Sequence, residues 1–371
     1  MRRLGSDLRD HAVAQGPGGL GPMQKGTMME AVLIERFGGP EVLELRQVER
    51  PKPGPDEVLV QVAAVSVNQS FDLSARRGKS IFPLKLPLQL GVDPVGTIVE
   101  VGENVDAGRI GERVFSTFIV RCRTCDNCRA ERPCSSARQI GITSPGGYAQ
   151  YLAVPAFQAR RIPDSIEAGV ACVIGRHGEA AWSEIESADV QAGEWVLIMG
   201  ASGGLGSLLV QLAKMRGANV IAVVGSEARA WHCMRLGADH TVNYRSGDLP
   251  EQVRQITGPA GVNVVFENVS NPATFPQAFA SLAPGGRLVT IGYHGGKVVP
   301  LDVSVLFRNR LTVKSAPMWM KDSSVFDECF RLAAEGKLKG TVAQRFPLRE
   351  AAKAHGTAER GHLVGKIILE P

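Results

Sequence analysis

The chain has 371 residues, of which 44% are hydrophobic and 21% charged, and its formal net charge at pH 7 is +5. This length and composition predict a soluble globular protein with room for two domains, each with its own core. The sequence holds no apolar run long enough to cross a bilayer and no basic tract interleaved with aromatic residues. We therefore expect neither a membrane protein nor a nucleic-acid-binding protein.

The first 28 residues differ from the rest of the chain. They contain two glycine–proline clusters and show no apolar periodicity, which predicts a flexible N-terminal extension. The extension has no apolar core like that of a secretory signal, and Asp7 and Asp10 argue against a transit peptide. The sequence thus indicates a cytoplasmic protein.

Residues 29–162 show the pattern of short strands. The segments 31–34, 57–62 and 96–101 are rich in β-branched residues, and turn signals rich in proline and glycine bound them. This pattern predicts an irregular antiparallel β-barrel domain.

A cysteine-rich segment, residues 121–136, interrupts this domain. Four of the seven cysteines of the chain lie in it: Cys122, Cys125, Cys128 and Cys134. In a chain without a secretory signal, so tight a cluster favours a metal over disulfides. Four thiolates can complete a tetrahedral shell and stabilise a segment that has little core of its own.

Between residues 163 and 298, strands alternate with helices. Strands are predicted at 195–199, 220–224, 240–242, 262–266 and 287–291. This alternation is typical of right-handed βαβ units, so we predict an α/β domain with a doubly wound parallel sheet covered on both faces. Residues 299–371 return to mixed strands and helices and are predicted to rejoin the first domain.

A glycine-rich turn follows the first of these strands. It comprises Gly200, Ala201, Ser202, Gly203, Gly204, Leu205 and Gly206 and leads directly into a helix. Glycine lets the backbone come close to a pyrophosphate, and the helix N-terminus offers unpaired N–H groups and the positive end of its dipole. A strand, a glycine turn and a helix in this order predict a dinucleotide site, whereas the glycines alone would also fit an ordinary tight turn.

Several short motifs carry a resemblance to a known family. They are Gly111-Glu112-Arg113-Val114, Gly147-Tyr148-Ala149-Gln150-Tyr151, the glycine turn, Leu236-Gly237-Ala238-Asp239, Pro284-Gly285-Gly286-Arg287 and Gly365-Lys366. Together they resemble the medium-chain dehydrogenase/reductase superfamily over nearly all of the chain after about residue 28, and the glycine turn is most similar to that of the quinone oxidoreductase branch. The resemblance implies a GroES-like catalytic domain, a Rossmann domain, an active site in the cleft between them and a homodimer.

The end of the second predicted strand indicates which nicotinamide cofactor is bound. NAD enzymes usually place Asp or Glu there, and this chain has Gly225. Ser226 and Arg229 can hydrogen-bond a 2′-phosphate, and Tyr244 matches a tyrosine that the quinone oxidoreductase branch uses at the same phosphate. These residues predict NADPH. Glu227 leaves NAD open, and Arg229 is also compatible with an ordinary solvated helix residue.

The resemblance extends to the cysteines. Their segment is similar to the structural zinc lobe of zinc alcohol dehydrogenases, which also follows a Gly-x-Arg-Val strand, and it implies a structural zinc. The gap between Cys128 and Cys134 is shorter than the family pattern. A metal-free loop and a different metal therefore stay open as alternatives.

Zinc-dependent members of the family that this chain resembles hold a catalytic zinc with side chains at three positions. This chain lacks zinc ligands at those positions. The residues found there are Asn68 or Gln69, Val92 and Arg176. Neither valine nor arginine binds zinc. Asp93, Cys172 and His177 could form a different zinc site, but these three residues match no known zinc-binding motif.

The missing ligands point to a reaction class. Without zinc to polarise an alcohol oxygen, alkoxide formation is hard, whereas hydride addition to the β-carbon of an enone or quinone needs only hydrogen-bond donors and a proton source. The sequence predicts an NADPH-dependent oxidoreductase that acts on a quinone or an α,β-unsaturated carbonyl. An alcohol dehydrogenase or carbonyl reductase, and a nucleotide-binding scaffold without turnover, are the alternatives.

Five residues are predicted around the reacting groups. Asn68 is the predicted catalytic donor near the substrate carbonyl, with a structural role in its loop as the alternative. Asn268 and Gly292 follow strands at positions that hold the carboxamide and ribose in relatives. Tyr293 and His294 are candidate proton sources, with solvent exposure the alternative for the histidine.

Two smaller expectations concern other segments. Asp72 and Arg76 lie on one segment and are expected to pair with each other. Met318, Trp319 and Met320 fit an apolar pocket, a dimer contact or ordinary core packing.

Overall fold

A computed structural model describes residues 27–130, 132–317 and 324–371. The predicted extension up to residue 26, and the segment with Met318, Trp319 and Met320, lie outside these residues. The first strand begins at Met28, the last residue assigned to the extension from the sequence.

Two groups of strands and a set of helices make up the described chain. Strands β1–β10 are Met28–Ile34, Glu44–Glu49, Glu57–Ser66, Leu88–Gln89, Val95–Val101, Arg113–Ser116, Ile119–Val120, Arg138–Gln139, Tyr151–Pro155 and Ala159–Arg161. Strands β11–β18 are Trp195–Ile198, Asn219–Val224, His240–Asn243, Val262–Phe266, Leu282–Thr290, Thr312–Ser315, Val342–Pro347 and Lys366–Glu370. Helices α1–α10 are Ser74–Arg76, Asp126–Arg129, Ala168–Ala188, Gly204–Met215, Glu227–Arg235, Leu249–Thr257, Phe275–Ala280, Val303–Arg308, Ser324–Ala334 and Ala351–Arg360. No helix in this part of the chain combines the length and apolarity needed to cross a membrane.

The first domain is built around β3. This strand pairs antiparallel with β5, β9 and β18 and lies in a sheet of order β10-β6-β5-β3-β18-β17. Its Val58, Val60 and Val62 are buried in a core that the neighbouring strands share. The C-terminal strand β18 therefore lies directly beside β3, and the carboxyl end of β3 meets the start of β18.

The second domain is a parallel sheet of order β13-β12-β11-β14-β15-β16. The chain runs outward from β11 to β13, then returns and runs outward on the other side from β14 to β16. Val196, Leu197 and Ile198 of the central strand are fully buried, as expected for a strand covered on both faces. Such a sheet binds ligands at the carboxyl ends of its strands, where the strand order reverses between β11 and β14.

The parallel sheet continues past the boundary predicted at residue 298. Strand β16 pairs parallel with β15, and α9 packs against α3 of the same domain. The return to the first domain begins only at β17. All four residues of β16 are exposed, so the segment offered no apolar run from which a sheet strand could be predicted.

Helix α3 connects the two domains. It begins after Glu167, whose side chain accepts hydrogen bonds from the N–H groups of Gly169 and Val170, and it ends at Asp189 in the left-handed conformation. Its residues pack against β3 and β5 of the first domain and against α4 and α9 of the second. One face of α3 therefore reaches the carboxyl end of β3.

Candidate active site

A cleft of about 370 Å³ lies between the two domains. Its wall on the sheet side carries Gly200, Ser202, Gly203, Gly204, Leu205, Gly206, Arg229, Asn268, Ile291, Gly292, Tyr293 and His294. Its wall on the barrel side carries Val67, Asn68, Phe71, Ile81, Arg176, His177 and Lys366. Nearly all of the predicted site residues outside the cysteine lobe therefore line one cavity, and Ala201, Ser226 and Tyr244 do not line it.

The glycine turn forms a cradle at the N-terminus of α4. Gly200 has a φ of +64°, and the N–H of Gly203 donates to the carbonyl of Gly200 at 3.0 Å. A Cβ on Gly206 would clash with that same carbonyl, and a Cβ on Gly204 would lie 2.7 Å from Nε2 of His177. Only glycine fits these two positions without a shift of a neighbour, so the turn packs closely against the start of α4, where a helix N-terminus favours an anion.

The end of β12 is followed by Gly225 and Ser226, and the first acidic residue after it is Glu227, at the start of α5. Gly225 there packs against the ring of Tyr244, so that a Cβ on it would lie 2.9 Å from the tyrosine Cε1. Nε of Arg245 donates to the Tyr244 hydroxyl at 3.3 Å. Ser226 precedes α5, and Arg229 lies in its first turn and lines the cleft. This group of hydroxyls and guanidinium groups suits an anion.

Both the Nδ2 and the Oδ1 atoms of the Asn268 amide are hydrogen-bonded to other residues of the protein. Its Nδ2 donates to both carboxylate oxygens of Glu184 at 2.9 and 2.7 Å, and its Oδ1 accepts from the N–H of Ile291 at 2.9 Å. Glu184 is fully buried, and burial raises its pKa to about 8. The amide thus joins the ends of β14 and β15 beside Gly292, whose carbonyl accepts from Ser270. Asn268 shapes this wall of the cleft.

The floor of the cleft centres on Lys366. Its Nζ donates to the carbonyl of Val67 at 2.6 Å and to Oδ1 of Asn68 at 2.9 Å. Nδ2 of Asn68 donates to Oγ of Ser66 and to Oδ2 of Asp93, both at 3.1 Å. Because both hydrogens of the Asn68 amide have protein partners, its contacts favour the structural alternative, and its role as a substrate donor stays a prediction.

Two buried carboxyl groups lie behind Asn68. Asp72 accepts from the N–H groups of Asn68 and Gly91 at 2.8 and 2.9 Å, and Asp93 accepts from the N–H of Ser66 at 2.8 Å. Burial and the neighbouring Asp93 raise the pKa of Asp72 to about 7, and burial also raises the pKa of Asp93. Burial lowers the pKa of Lys366 to about 8. The floor thus joins a cation to carboxyl groups that resist ionisation.

The prediction that Asp72 and Arg76 pair with each other is wrong. The guanidinium of Arg76 is buried and donates to Glu359 of α10, on the opposite side from Asp72. The carboxylate of Asp72 is occupied by backbone N–H groups. Proximity along the segment did not decide the pairing, because a partner distant in sequence was better placed.

Arg176 and His177 project from α3 into the cleft. The Arg176 guanidinium lies 4.6 Å from the centre of the Phe71 ring and 5.4 Å from that of Phe118. Nε of Arg176 and Nε2 of His177 are buried without a hydrogen-bond partner. The two rings contact the cation through their faces, and the Nε donor of Arg176 stays unused.

The cleft floor does not fit a catalytic zinc. Val92 is fully buried in an apolar cluster, Arg176 offers a cation, and the oxygens of Asp93 accept from Ser66 and Asn68. The improvised set of Asp93, Cys172 and His177 does not converge. Among residues 27–130, 132–317 and 324–371, the only group of His, Cys, Asp or Glu side chains close enough to share one ion lies elsewhere.

That group is the cysteine lobe. The ligand atoms of Cys122, Cys125, Cys128 and Cys134 all lie within 4.8 Å of one another. Backbone N–H groups of Cys122, Cys125 and Cys128 each point to a sulfur of the set at 3.4 Å. Hydrogen bonds from the N–H groups of Cys128 and Ser135 lower the pKa of Cys125 to about 5. Four converging thiols that accept N–H groups fit a tetrahedral zinc.

Comparisons with known proteins agree with this architecture. Residues 54–164 match the family described as the alcohol dehydrogenase GroES-like domain, and residues 204–335 match the zinc-binding dehydrogenase family. An alcohol dehydrogenase of Geobacillus stearothermophilus is 32% identical over 346 residues, covering 92% of this chain and 99% of its own length. A crystal structure of an NAD-dependent alcohol dehydrogenase superposes with a TM-score of 0.86 at 32% identity, covering 92% of this chain and all of the other.

Two further relatives carry other names. A 2-haloacrylate reductase of a Burkholderia species is 30% identical over 358 residues, covering 93% of this chain and 99% of its own length. The human quinone oxidoreductase is 28% identical over 347 residues, covering 92% and 98%. The chain belongs to the medium-chain dehydrogenase/reductase superfamily, with a GroES-like domain joined to a Rossmann domain. It is an oxidoreductase.

Sequence reasoning missed two parts of the site. Lys366 was noted only as part of a family motif, although it lies between the glycine turn and Asn68. Glu184 was not singled out because it lies in the middle of a long helix. A glutamate on the buried face of an apolar helix is the signal that could have found it, since such a side chain needs a polar partner.

Proposed function

We propose that this protein uses NADPH to reduce a quinone or an α,β-unsaturated carbonyl compound and needs no catalytic zinc for this reaction. The observation that carries the proposal is the composition of the cleft floor, which Arg176 and Lys366 line, while Val92 is buried in an apolar cluster. None of these side chains suits a zinc ion. The names of the relatives include both alcohol dehydrogenases and reductases, so the names do not choose between these reactions.

The chain offers binding groups along the whole nucleotide. The N–H groups in the first turn of α4, which begins at Gly204, would hold the pyrophosphate. Ser226, Arg229 and Tyr244 would hold the 2′-phosphate of NADP, and the missing acid at Gly225 removes the group that would repel it. Bound in this way, NADPH supplies a hydride to the substrate.

The remaining chemistry falls to side chains of the cleft. Lys366 donates two hydrogen bonds to Val67 and Asn68, and an ammonium group keeps a third N–H for the cleft. Its cation stabilises negative charge that develops on the substrate oxygen, and it can supply a proton. Asn68 positions this ammonium group.

We also propose that the cysteine lobe holds one structural zinc and that the chain forms a homodimer. The lobe would be fixed by the metal rather than by a core of its own. The dimer would form at β16, an exposed edge strand, where Phe307, Val298 and Val303 are 85%, 82% and 66% exposed.

The reaction is tested by the loss of NADPH absorbance with a panel of quinones, enones, ketones and, in the reverse direction, alcohols with NADP⁺. We expect turnover of a quinone or an enone and none of simple alcohols. Turnover of alcohols alone would overturn the proposed reaction class. Tight NADPH binding without turnover of any compound would instead favour the non-enzymatic scaffold.

A further inference from the structure

The barrel-side wall of the cleft presents two cations. Lys366 reaches the cleft from the start of β18, and Arg176 reaches it from α3. Three carboxyl groups act on Arg176: Asp93, Glu179 and Asp72. Glu179 follows Arg176 by three residues on α3. Asp93 and Asp72 already accept hydrogen bonds from Ser66, Asn68 and Gly91, and neither forms a hydrogen-bonded ion pair with the guanidinium group.

The Arg176 guanidinium lies over two aromatic rings and keeps an unused hydrogen-bond donor. The rings of Phe71 and Phe118 lie 4.6 and 5.4 Å from it and are inclined to each other by 60°. Its Nε has no partner, although burial makes an unused donor costly. A guanidinium presents its N–H donors in a planar fork, and a carboxylate is the planar anion that matches this fork.

We propose that the substrate carries a carboxylate conjugated to the double bond that is reduced, and that Arg176 and Lys366 bind this carboxylate. This inference rests on the proposed function and names its substrate class. The apolar surfaces of Phe71 and Ile81 contact the carbon skeleton, and the volume of the cleft, shared with a nicotinamide ring, limits the substrate to a small acid.

The chemistry explains why two cations are needed. The β-carbon gains a hydride, the carbon–carbon π electrons move toward the carboxylate, and the α-carbon then gains a proton. One NADPH becomes NADP⁺ and the double bond becomes a single bond. The carboxylate is already negative, so the electron pair that reaches it creates a second charge. Two adjacent cations stabilise this dianion, whereas a neutral enone needs less help.

The test compares but-2-enoate with its methyl ester, with NADPH as reductant, for the unaltered protein and Arg176→Met. We expect the protein to favour the acid, and Arg176→Met to lower kcat/KM for the acid by about 100-fold or more while changing that for the ester by less than about 3-fold. Arg160→Met is the matched control, because Arg160 also has a buried, unpartnered Nε but lies on β10, outside the cleft. It should change neither rate.

Binding of butanoate in the presence of NADP⁺, measured by calorimetry, separates the two proposals. If the ester and a quinone are reduced but the acid is not preferred, or if Arg176→Met lowers all rates equally, the carboxylate site is refuted and the reductase survives. If no compound is reduced, the reductase fails. The anion site then stands only if butanoate binds to the unaltered protein and not to Arg176→Met, and it is overturned if both bind alike.

Discussion

The cysteine lobe and the cleft floor would each be expected to hold a metal in a zinc alcohol dehydrogenase, and they differ completely in this chain. In the lobe, four thiols converge within 4.8 Å. At the cleft floor, the positions that match zinc ligands hold a valine buried in an apolar cluster and an arginine that lines the cavity. The difference teaches that the chain keeps a set of ligands fit for a metal in a segment with little core of its own, and presents its own cations in the cleft where we propose that the reaction takes place.

The largest effect is expected in the lobe. Cys125→Ser should lower the zinc content from about one ion per chain to nearly none, because three thiolates no longer complete the tetrahedral shell. The measurement is elemental analysis of the purified protein, together with its thermal unfolding midpoint, which should fall. Cys233→Ala is the control, since this cysteine is buried in the Rossmann core and should leave the zinc content unchanged. Full zinc content in Cys125→Ser would contradict the assignment of the lobe.

The next effect concerns the nucleotide end of the cleft. Arg229→Gln should raise the Kd for NADPH by about 10- to 100-fold, since a charge-assisted hydrogen bond is lost, and should leave the Kd for NADH nearly unchanged. Fluorescence titration with both cofactors measures this. Arg235→Gln, on the same helix but stacked on the exposed Trp231, should change neither Kd. Equal weakening of both cofactors in Arg229→Gln would remove the argument for NADPH.

A smaller effect is expected from Lys366 and should depend on pH. Its pKa near 8 means that the ammonium form is present below pH 8 and is lost as the pH rises through that value. The kcat/KM for reduction should therefore fall above about pH 8. Lys366→Met should lower kcat/KM below pH 8 by about 10-fold and should abolish its fall above pH 8. Lys353→Met, on the exposed face of α10, is the control and should keep both the unaltered kcat/KM below pH 8 and its fall above pH 8. An unchanged fall in Lys366→Met would show that another group titrates.

The smallest effect on catalysis is expected at the exposed edge. Phe307→Asp should convert the dimer to a monomer, because a charge would be placed in the proposed apolar interface, while kcat/KM changes by less than about 2-fold. Sedimentation measures the mass. Ile110→Asp, at an exposed position of the first domain, should leave the dimer intact. A monomeric unaltered protein, or a dimer that survives Phe307→Asp, would exclude this interface.

The parts of the fold that local patterns determine could be predicted from the sequence. The glycine turn, the alternating strands and helices and the cysteine spacing each depend on residues close together in the chain. Strand β16 was missed because its residues are exposed, and the edge of the sheet therefore extends beyond the predicted boundary.

The parts of the site that depend on distant contacts could not be predicted. Lys366 and Asn68 are 298 positions apart and meet only because β18 pairs with β3. The Nδ2 donor of Asn68, which the sequence offers to a substrate, is occupied by Ser66 and Asp93, the latter 25 positions away. The sequence predicts that Arg176 replaces a zinc ligand, but its aromatic neighbours come from other segments, and so its unused Nε donor could not be predicted.

The central claim is tested most directly by measuring zinc stoichiometry and reductase activity on the same samples during stepwise chelation. The account predicts about one zinc per chain, located in the lobe, and NADPH-dependent reduction that persists for as long as the protein stays folded. Two zinc ions per chain, with one lost in proportion to activity while the fold is intact, would contradict it.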